Sequence, residues 1–384
     1  MSRVAIVSYA MEGFSSESDS DARKAVASVA RDAYDQAGIE RDDLDALVMT
    51  DQDAFDGAAI SSGIKVAPAG GYLKPVMRVQ NGGGYGIHQG MAKIRSGKAD
   101  CVAVVAADTT KTDATVVSNI SQEPLYHRPF GESNVTSHAR LATEYLETGV
   151  ATEEDFARVA AKNYAGAAET PWAHRREGHS TESVLESERV ASPLRELMTA
   201  PVSYGAAIVV LASESFVEDH DLEPAWLAGA GVGSSNYGYT TSESRLEQPA
   251  LEKAATAAYD GAGIDDPAEA FDAAEVCAPA PHYELLSYET LGLCDRGDAP
   301  SLVRDGTTAH DGSLPVNVCG GALATNPPSS GGLVRAITGA KLVNGEFDHV
   351  DQSVQRALVT DSDLHLGERG RTDAALVLEA GGAA

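Results

Sequence analysis

Two segments of the chain carry side chains that could move a proton beside a developing anion. His282 and Tyr283 follow a Pro-rich loop. A histidine titrates near neutral pH and a tyrosine hydroxyl can hydrogen-bond an oxyanion, although both residues could instead lie on the loop surface. Gly83 and Gly84 precede a predicted helix, where backbone N–H groups and the helix dipole favour a negatively charged oxygen. The alternative for these glycines is a tight turn that needs them for its backbone angles alone.

Further candidates lie near these two segments. Asn326 could donate its side-chain N–H to the same oxyanion without ionising, or it could simply form the turn before the following two prolines. Tyr85 comes two residues after Gly83, and His88 lies on the first helical turn, where it is equally expected to face away from the site. Gly320 belongs to a second glycine turn. Secondary candidates are Tyr204, Cys277, Cys319 and His365.

The four cysteines predict neither a metal site nor a disulfide framework. They show no CxxC pair and no zinc spacing. Cys277 and Cys319 lie in apolar runs that are typical of inert core thiols. Gly231 and Gly233 form too short a pattern for a dinucleotide-binding fingerprint. We therefore expect no metal and no nicotinamide cofactor.

The charge excludes several classes of partner. The chain has 384 residues, with 29 Lys plus Arg against 57 Asp plus Glu, and a formal net charge of −28. Such a charge repels nucleic acid and anionic lipid, and no apolar run approaches the roughly 18 residues of a membrane span. Scarce lysine beside abundant carboxylates resembles haloarchaeal cytosolic proteins, which predicts a halophilic, cytoplasmic protein. An ordinary acidic enzyme is the alternative.

The hydrophobic pattern predicts an α/β layered fold, because short apolar runs alternate with longer segments of helical periodicity. Predicted strands are 4–8, 46–50, 102–107, 206–212, 225–230, 273–277, 357–360 and 374–378. Predicted helices are 18–36, 86–96, 152–167, 246–262 and 331–343. The same rhythm occurs twice, which indicates two similar halves.

A long stretch with little strand signal separates the strands 102–107 and 206–212. It has about 100 residues, too many for a connecting loop, so we expect an inserted domain that covers the site. The predicted division is an N-terminal half at 1–109 and 201–222, a loop or cap domain at 110–200, and a C-terminal half at 223–384.

Four segments, in chain order, resemble motifs of the thiolase superfamily, especially the sterol-carrier-protein-x type thiolases and archaeal acetyl-CoA acetyltransferase-like proteins. They are VQNGGGYG at 79–86 with SGKADCV at 96–102, SPLR at 192–195 with YGAA at 204–207, EVCAP at 275–279 with ELL at 284–286 and ETLGLC at 289–294, and LPVNVCGGAL at 314–323 with NPPSSGG at 326–332.

The resemblance implies two similar βαβαβαββ halves in a five-layer αβαβα arrangement, with an inserted loop domain that cradles coenzyme A. It implies an acyl-CoA thioester as substrate, no separate cofactor, and a homodimer formed by edge strands of the first half. Thiolase-like aldolases of sterol side-chain degradation lack the thiolase cysteine and work with a small OB-fold protein. A zinc-ribbon/OB-fold partner is therefore expected here as well.

The residues at the family's catalytic positions are replaced. Gly83 stands at the nucleophile position, and glycine cannot form an acyl-enzyme. Asn326 stands at the GHP histidine, and Cys277 with the next two residues replaces the His, Asp and Cys of the HDCF motif. Tyr204 stands where the family usually has Asp. The thiolase mechanism therefore does not transfer to this sequence as it stands.

Three functional hypotheses follow from the resemblance. The first is an acetyl-CoA acyltransferase-like enzyme of lipid metabolism whose chemistry has changed to a retro-aldol type of cleavage. The second is an inactive thiolase-fold subunit that scaffolds a complex with an OB-fold partner. The third is an ordinary thiolase with a relocated nucleophile. Convergence of His282, Tyr283 and Asn326 on the Gly83 turn would favour an enzyme.

Overall fold

The computed structural model describes residues 2–17, 21–80, 82–109, 112–122, 124–125, 128–235, 246–350, 352–364 and 372–381. Within these ranges the strands are β1 (Val4–Met11), β2 (Ala46–Thr50), β3 (Val76–Val79), β4 (Cys101–Asp108), β5 (Arg189–Ala191), β6 (Leu194–Arg195), β7 (Gly205–Ser213), β8 (Ala225–Ser234), β9 (Ala273–Glu275), β10 (Arg356–Ser362) and β11 (Thr372–Glu379).

The helices alternate with these strands. They are α1 (Ala22–Ala37), α2 (Asp53–Asp56), α3 (Gly83–Arg95), α4 (Ala114–Ser121), α5 (Asn134–Glu147), α6 (Glu153–Ala168), α7 (Thr181–Glu186), α8 (Glu214–His220), α9 (Pro249–Ala262), α10 (Pro281–Thr290), α11 (Ala299–Arg304), α12 (Gly321–Ala324) and α13 (Gly331–Val343). Among them, none is long and apolar enough to cross a membrane.

Nine strands form one mixed sheet in the order β3-β2-β4-β7-β1-β8-β11-β10-β9. At its centre, β1 and β8 meet through the antiparallel pairs Ala5 with Trp226 and Ile6 with Ala225. Outward from this junction, β7, β4 and β2 follow β1 in the same way as β11, β10 and β9 follow β8. The pairs β2–β4 and β9–β10 are both parallel. Two similar α/β halves therefore share one sheet.

Three apolar cores fill the spaces between five layers, and the central core contacts the sheet of both halves. The central core joins α3 and α13 to the inner faces of both halves and includes Ile87, Ile337, Val104 and Val359. A second core packs α1 against the opposite face of the first half. The third packs α9, α10, α5 and α6 against the opposite face of the second half. Burial of the apolar faces of strands and helices thus produces the alternation α, β, α, β, α.

The helices α4 to α7 and the hairpin β5–β6 lie between β4 and β7. Helix α6 begins at a capping box formed by Thr152 and Asp155. The carboxylate of Asp155 also pairs with Arg304 of α11 at 2.6 Å, which ties this segment to the second half. The domain division with a cap at 110–200 stays a prediction.

The predicted strands and helices are present, with shifted ends. Helix α1 begins at Ala22 because the Asp21 side chain caps it, accepting the Arg23 N–H at 2.8 Å; residues 18–20 lie outside the described residues. Helix α9 begins at Pro249 rather than at 246, since proline suits the first turn. Strand β9 ends at Glu275, before the Pro-rich loop. The short edge strand β3 was missed.

Candidate functional site

Helix α3 begins at the turn that contains Gly83 and Gly84. A Cβ at Gly83 would lie 2.3 Å from the backbone nitrogen of Leu333, and one at Gly332 would lie 2.5 Å from the backbone nitrogen of Gly84. Both distances are far inside van der Waals contact. The first turns of α3 and α13 therefore touch backbone to backbone, and the site has no room for a nucleophilic side chain at position 83.

The carboxylate of Asp361, near the end of β10, occupies the N-terminus of α3. It accepts the backbone N–H of Gly84 at 3.0 Å. It also pairs with Arg335 of α13, whose Nε donates to the carbonyl of Thr360 at 2.9 Å. Asp361 and Arg335 are 5% and 4% exposed. The Gly84 N–H thus holds the protein's own carboxylate, and the expected oxyanion role of Gly84 stays a prediction.

A second buried carboxylate caps the neighbouring helix. Asp108, at the end of β4, accepts the backbone N–H groups of Ser329 and Ser330 at 2.8 and 2.9 Å. The hydroxyl of Ser330, the N-cap of α13, donates to Asp108 at 2.6 Å. Burial raises the pKa of Asp108, and these hydrogen bonds oppose that shift. The N-termini of both central helices are thus closed by carboxylates from within the chain.

A small cavity lies between the inserted helices and the second half. Its volume is about 20 Å³, room for about one water molecule. Asn326 and Pro279 both line it, so the tertiary structure brings together residues of the third and fourth motifs. The described lining residues are Phe55, Asn134, His138, Thr199, Ala200, Val202, Pro279, Asn326 and Pro328.

His138 of α5 is the titratable side chain among these described lining residues. Its Nε2 lies 3.0 Å from the carbonyl oxygen of Leu364. A carbonyl only accepts, so in the neutral ring Nε2 carries the hydrogen and Nδ1 is the nitrogen that can take up a proton. The side chain is 2% exposed. Sequence reasoning missed His138, since a lone histidine inside a helix gives no signal.

Tyr283 and His282 lie in the core behind His138. The Tyr283 ring meets the His138 ring edge to face at 5.1 Å, and the His282 ring is 4.2 Å from that of Tyr283. His282 is fully buried, and neither ring nitrogen has a hydrogen-bond partner in the described structure. Burial, and then the nearby His138, hold the pKa of His282 well below its ordinary value. The alternative of a loop-surface position is wrong for both residues, and their catalytic role stays a prediction.

The convergence of His282, Tyr283 and Asn326 on the Gly83 turn stays a prediction. Gly83 packs against Leu333, whereas Asn326 lines the cavity, and Tyr283 contacts the wall of that cavity through His138. Asn326 and His138 thus line one cavity, and Gly83 is not among its described lining residues.

Tyr85 and His88 lie on another face of α3. Gly86 allows that helix to approach the sheet closely, since a Cβ at this position would lie 2.3 Å from Thr50 Cγ2. Tyr85 and His88 are half-buried, with ring centroids 6.3 Å apart. Burial and the charge of Arg95 lower the pKa of His88. Neither residue belongs to the described lining of the cavity.

The two candidate cysteines are buried thiols. The backbone N–H of Cys277 donates to Thr360 Oγ1 at 3.0 Å, and burial raises the pKa of its thiol to about 11. Burial likewise raises the pKa of Cys319. Both are therefore protonated at neutral pH and poor nucleophiles. Within the described ranges, no group of three or more His, Cys, Asp or Glu residues is arranged to hold a metal ion.

Gly320 and Tyr204 are held by backbone conformation and hydrogen bonding, and His365 is not among the described residues. Gly320 has φ of +88°, a left-handed conformation that suits glycine at the start of α12. The backbone N–H of Tyr204 donates to the carbonyl of Ser15 at 2.9 Å, and burial raises the pKa of its phenol.

Residues of the third and fourth motifs form a buried polar network. Glu284 accepts from Asn317 Nδ2 at 2.6 Å and pairs with Lys162 Nζ at 2.7 Å. Glu275 accepts the backbone N–H of Val318 at 2.9 Å, and burial raises its pKa to about 8. These motif residues connect helices α6 and α10 with the segment before the glycine turn at 320–321.

The doubled α/β fold, with two central helices that meet at glycines and a helical insertion over a buried site, is the thiolase fold. Residues 231–378 match the family model of the thiolase C-terminal domain. An aldolase structure described as Ltp2-ChsH2(DUF35) superposes with a TM-score of 0.83 and 26% sequence identity, covering 99% of this chain and 98% of that one.

Sequence relatives point in the same direction. An acetyl-CoA acetyltransferase of Methanothermobacter thermautotrophicus is 26% identical over 335 residues, which are 85% of this chain and 87% of the relative. Sterol carrier protein 2 of Gallus gallus is 31% identical over 199 residues, or 50% of this chain and 35% of the relative. The match to the thiolase C-terminal domain and these relatives confirm the predicted resemblance to the thiolase superfamily.

Proposed function

We propose that the protein cleaves or forms a carbon–carbon bond next to an acyl-CoA thioester, by retro-aldol chemistry and without a cysteine nucleophile. The observation that carries this proposal is the backbone contact at Gly83, where a Cβ would lie 2.3 Å from Leu333 N. Thiolysis needs a nucleophile, whereas retro-aldol cleavage needs a base and an oxyanion donor. The similarity to an aldolase along nearly the whole chain supports this choice.

His138 and Asn326 are assigned the two chemical roles because both face the cavity. His138 Nδ1 takes the proton of the β-hydroxyl group. The bond between the α and β carbons breaks, the β carbon becomes a carbonyl, and the electron pair forms a thioester enolate. The side-chain amide of Asn326 donates to the enolate oxygen. The protonated His138 then returns the proton to the α carbon, which releases an acyl-CoA and a ketone or aldehyde.

A homodimer built on the edge strand β3 belongs to the same proposal. Among the described residues, Tyr72, Leu73 and Val76 are large exposed hydrophobic side chains in or just before this strand, and Leu73 is 89% exposed. An open edge beside an apolar surface favours pairing with a second copy.

A small zinc-ribbon/OB-fold partner is also proposed. The support is the description of the superposed aldolase, which pairs Ltp2 with ChsH2(DUF35). The net charge of −28 further supports a cytoplasm of high salt as the working environment.

The second candidate is an inactive scaffold for such a partner. It is favoured by the cavity volume of about 20 Å³ and by the carboxylate of Asp361 in the anion site of α3. Both features leave little space for a thioester in the conformation described, so an enzyme would have to open this cavity when substrate binds.

The deciding experiment measures β-hydroxyacyl-CoA cleavage and acetoacetyl-CoA thiolysis by the purified protein in molar KCl, alone and with a DUF35-type protein of the same organism. We expect cleavage of the hydroxyacyl thioester and no thiolysis. Thiolysis by the wild type would contradict the proposal, and inactivity in both assays with the partner present would favour the scaffold.

Matched variants test the assignment of roles. His138→Gln and Asn326→Ala should each lower kcat by about 100-fold or more, because each removes a proton acceptor or an oxyanion donor. His179→Gln is the control, since His179 packs against Tyr164 at 5.0 Å and is not among the described lining residues of the cavity. Equal activity of all three variants would remove His138 and Asn326 from the mechanism.

A further inference from the structure

The loop that carries Asn326 is held by a histidine and a serine from two other parts of the chain. The backbone N–H of Asn326 donates to Ser203 Oγ at 3.0 Å, and the backbone N–H of Ser203 donates to the Asn326 carbonyl at 3.3 Å. Both backbone groups of Asn326 are therefore tied to Ser203. His174 Nδ1 lies 2.9 Å from the same Ser203 oxygen.

The direction of the hydrogen bond between His174 and Ser203 follows from counting donors. Ser203 is fully buried, and its oxygen already accepts the Asn326 N–H. A hydroxyl has one hydrogen, and His174 Nδ1, 2.9 Å away, is the group among the described contacts of Ser203 Oγ that can accept it. His174 is therefore the tautomer with hydrogen on Nε2 and a lone pair on Nδ1. Burial, and then the charge of Arg175, lower the pKa of His174 and favour this neutral ring.

The backbone around His174 holds the same loop. The N–H of His174 donates to Thr325 Oγ1 at 3.0 Å, and the N–H of Arg175 donates to the carbonyl of Ala324 at 3.1 Å. The inserted segment and Ser203, which lies just before β7, thus hold three consecutive residues, from the last residue of α12 to Asn326. Because the loop backbone is held on both sides, the direction of the Asn326 side chain depends on this arrangement.

We propose that His174, acting through the hydroxyl of Ser203, is a positioning residue that orients Asn326 toward the cavity. The inference deepens the proposed function, on which its kinetic consequence rests, while the geometry can be tested without it. His174 has no contact with substrate in this assignment. It acts by keeping the Ser203 hydroxyl turned away from the Asn326 N–H, so that the oxygen can accept that N–H.

The variants separate positioning from simple packing. His174→Leu and Ser203→Ala remove the relay, whereas His174→Asn places an amide oxygen near the position of Nδ1 and should restore it. His220→Asn is the control, since His220 lies exposed at the end of α8. All variants are compared by thermal unfolding, and a positioning role predicts midpoints within about 2 °C of the wild type for His174→Asn.

The first readout is NMR of protein labelled with 15N-asparagine, in which the Asn326 resonance is identified by its loss in Asn326→Ser. His174→Leu and Ser203→Ala should move the Asn326 backbone amide resonance, and His174→Asn should return it close to its wild-type position. An Asn326 resonance that is the same in the wild type and in His174→Leu would overturn the proposal, whether or not the protein is an enzyme.

The second readout is steady-state kinetics with a β-hydroxyacyl-CoA. His174→Leu should lower kcat at least about fivefold with a smaller change in KM, and His174→Asn should recover most of that loss. Equal kcat for His174→Leu and the wild type, or no recovery by His174→Asn, would also overturn the positioning role. If the wild type has no activity, the proposed function fails and the resonance measurement alone decides the inference.

Discussion

Asp361 and Asp108 stand at corresponding places in the two halves, and each caps the central helix of the other half. Asp361 of β10 accepts the Gly84 N–H of α3 at 3.0 Å, and Asp108 of β4 accepts the Ser330 N–H of α13 at 2.9 Å. Each carboxylate is stabilised by the positive end of a helix dipole. The two reciprocal contacts join the halves at the N-termini of both central helices.

Replacing Gly83 by Cys should not create a thiolase. Its Cβ would overlap the Leu333 backbone at 2.3 Å, so Gly83→Cys and Gly83→Ala should each lower the free energy of unfolding by about 1–3 kcal/mol or more. Urea unfolding measures this loss. Gly13→Ala is the control, because a Cβ at Gly13 meets nothing within 4 Å. A Gly83→Cys protein with wild-type stability and thiolysis would refute the closed turn.

Asp361→Asn should destabilise the protein strongly, because it leaves the buried Arg335 guanidinium without its charged partner. The expected loss is about 3–5 kcal/mol in the free energy of unfolding. Asp260→Asn on the exposed face of α9 serves as the comparison and should have little effect. Similar unfolding midpoints for the two variants would show that the carboxylate of Asp361 does not stabilise the helix junction.

His282 should make the fold sensitive to acid. Its pKa is lower in the folded than in the unfolded chain, so the unfolded chain binds more protons, and stability falls as the pH decreases below about 6.5. His282→Phe should make the decrease in stability between about pH 7 and pH 5 shallower. The measurement is the free energy of unfolding as a function of pH for the wild type, this variant and the surface variant His220→Phe. Parallel pH profiles of wild type and His282→Phe would contradict the prediction.

Glu275 should have the opposite effect. Burial raises its pKa to about 8, so its contribution to stability is present below about pH 4.5 and is lost as the pH rises toward 8. Glu275→Gln mimics the protonated acid and should flatten the stability profile across this range. Glu252→Gln, at an exposed position of α9, should leave the profile unchanged. A profile that is just as steep in Glu275→Gln would exclude this carboxyl as its source.

The proposed dimer predicts a change of mass in solution. The double variant Leu73→Lys with Val76→Lys adds two charges beside β3 and should convert a dimer to a monomer, as measured by light scattering after gel filtration. Val190→Lys is the control, since Val190 is 47% exposed, close to the 40% of Val76, but lies on β5. A double variant that stays dimeric would place the contact elsewhere.

Only those site residues that belong to a sequence motif could be predicted from the sequence. The motif positions of Asn326 and Pro279 are visible in the sequence, and the structure brings both to one cavity. His138, Ser203 and His174 were missed, because each is a single residue whose partners lie on distant segments. The partner of the Gly84 N–H gave no sequence signal for the same reason, since the carboxylate of Asp361 lies 277 positions away.

The sequence by itself determined the α/β class, the doubled halves and the resemblance to the thiolase superfamily, because these depend on periodicity, composition and motif identity along the chain. The tertiary structure decided what occupies the glycine turn and which side chains share the cavity. Those outcomes depend on how β4, β10, α3 and α13 pack, and the contacts of buried carboxylates and histidines are set by burial and by partners far away in the chain rather than by their neighbours in sequence.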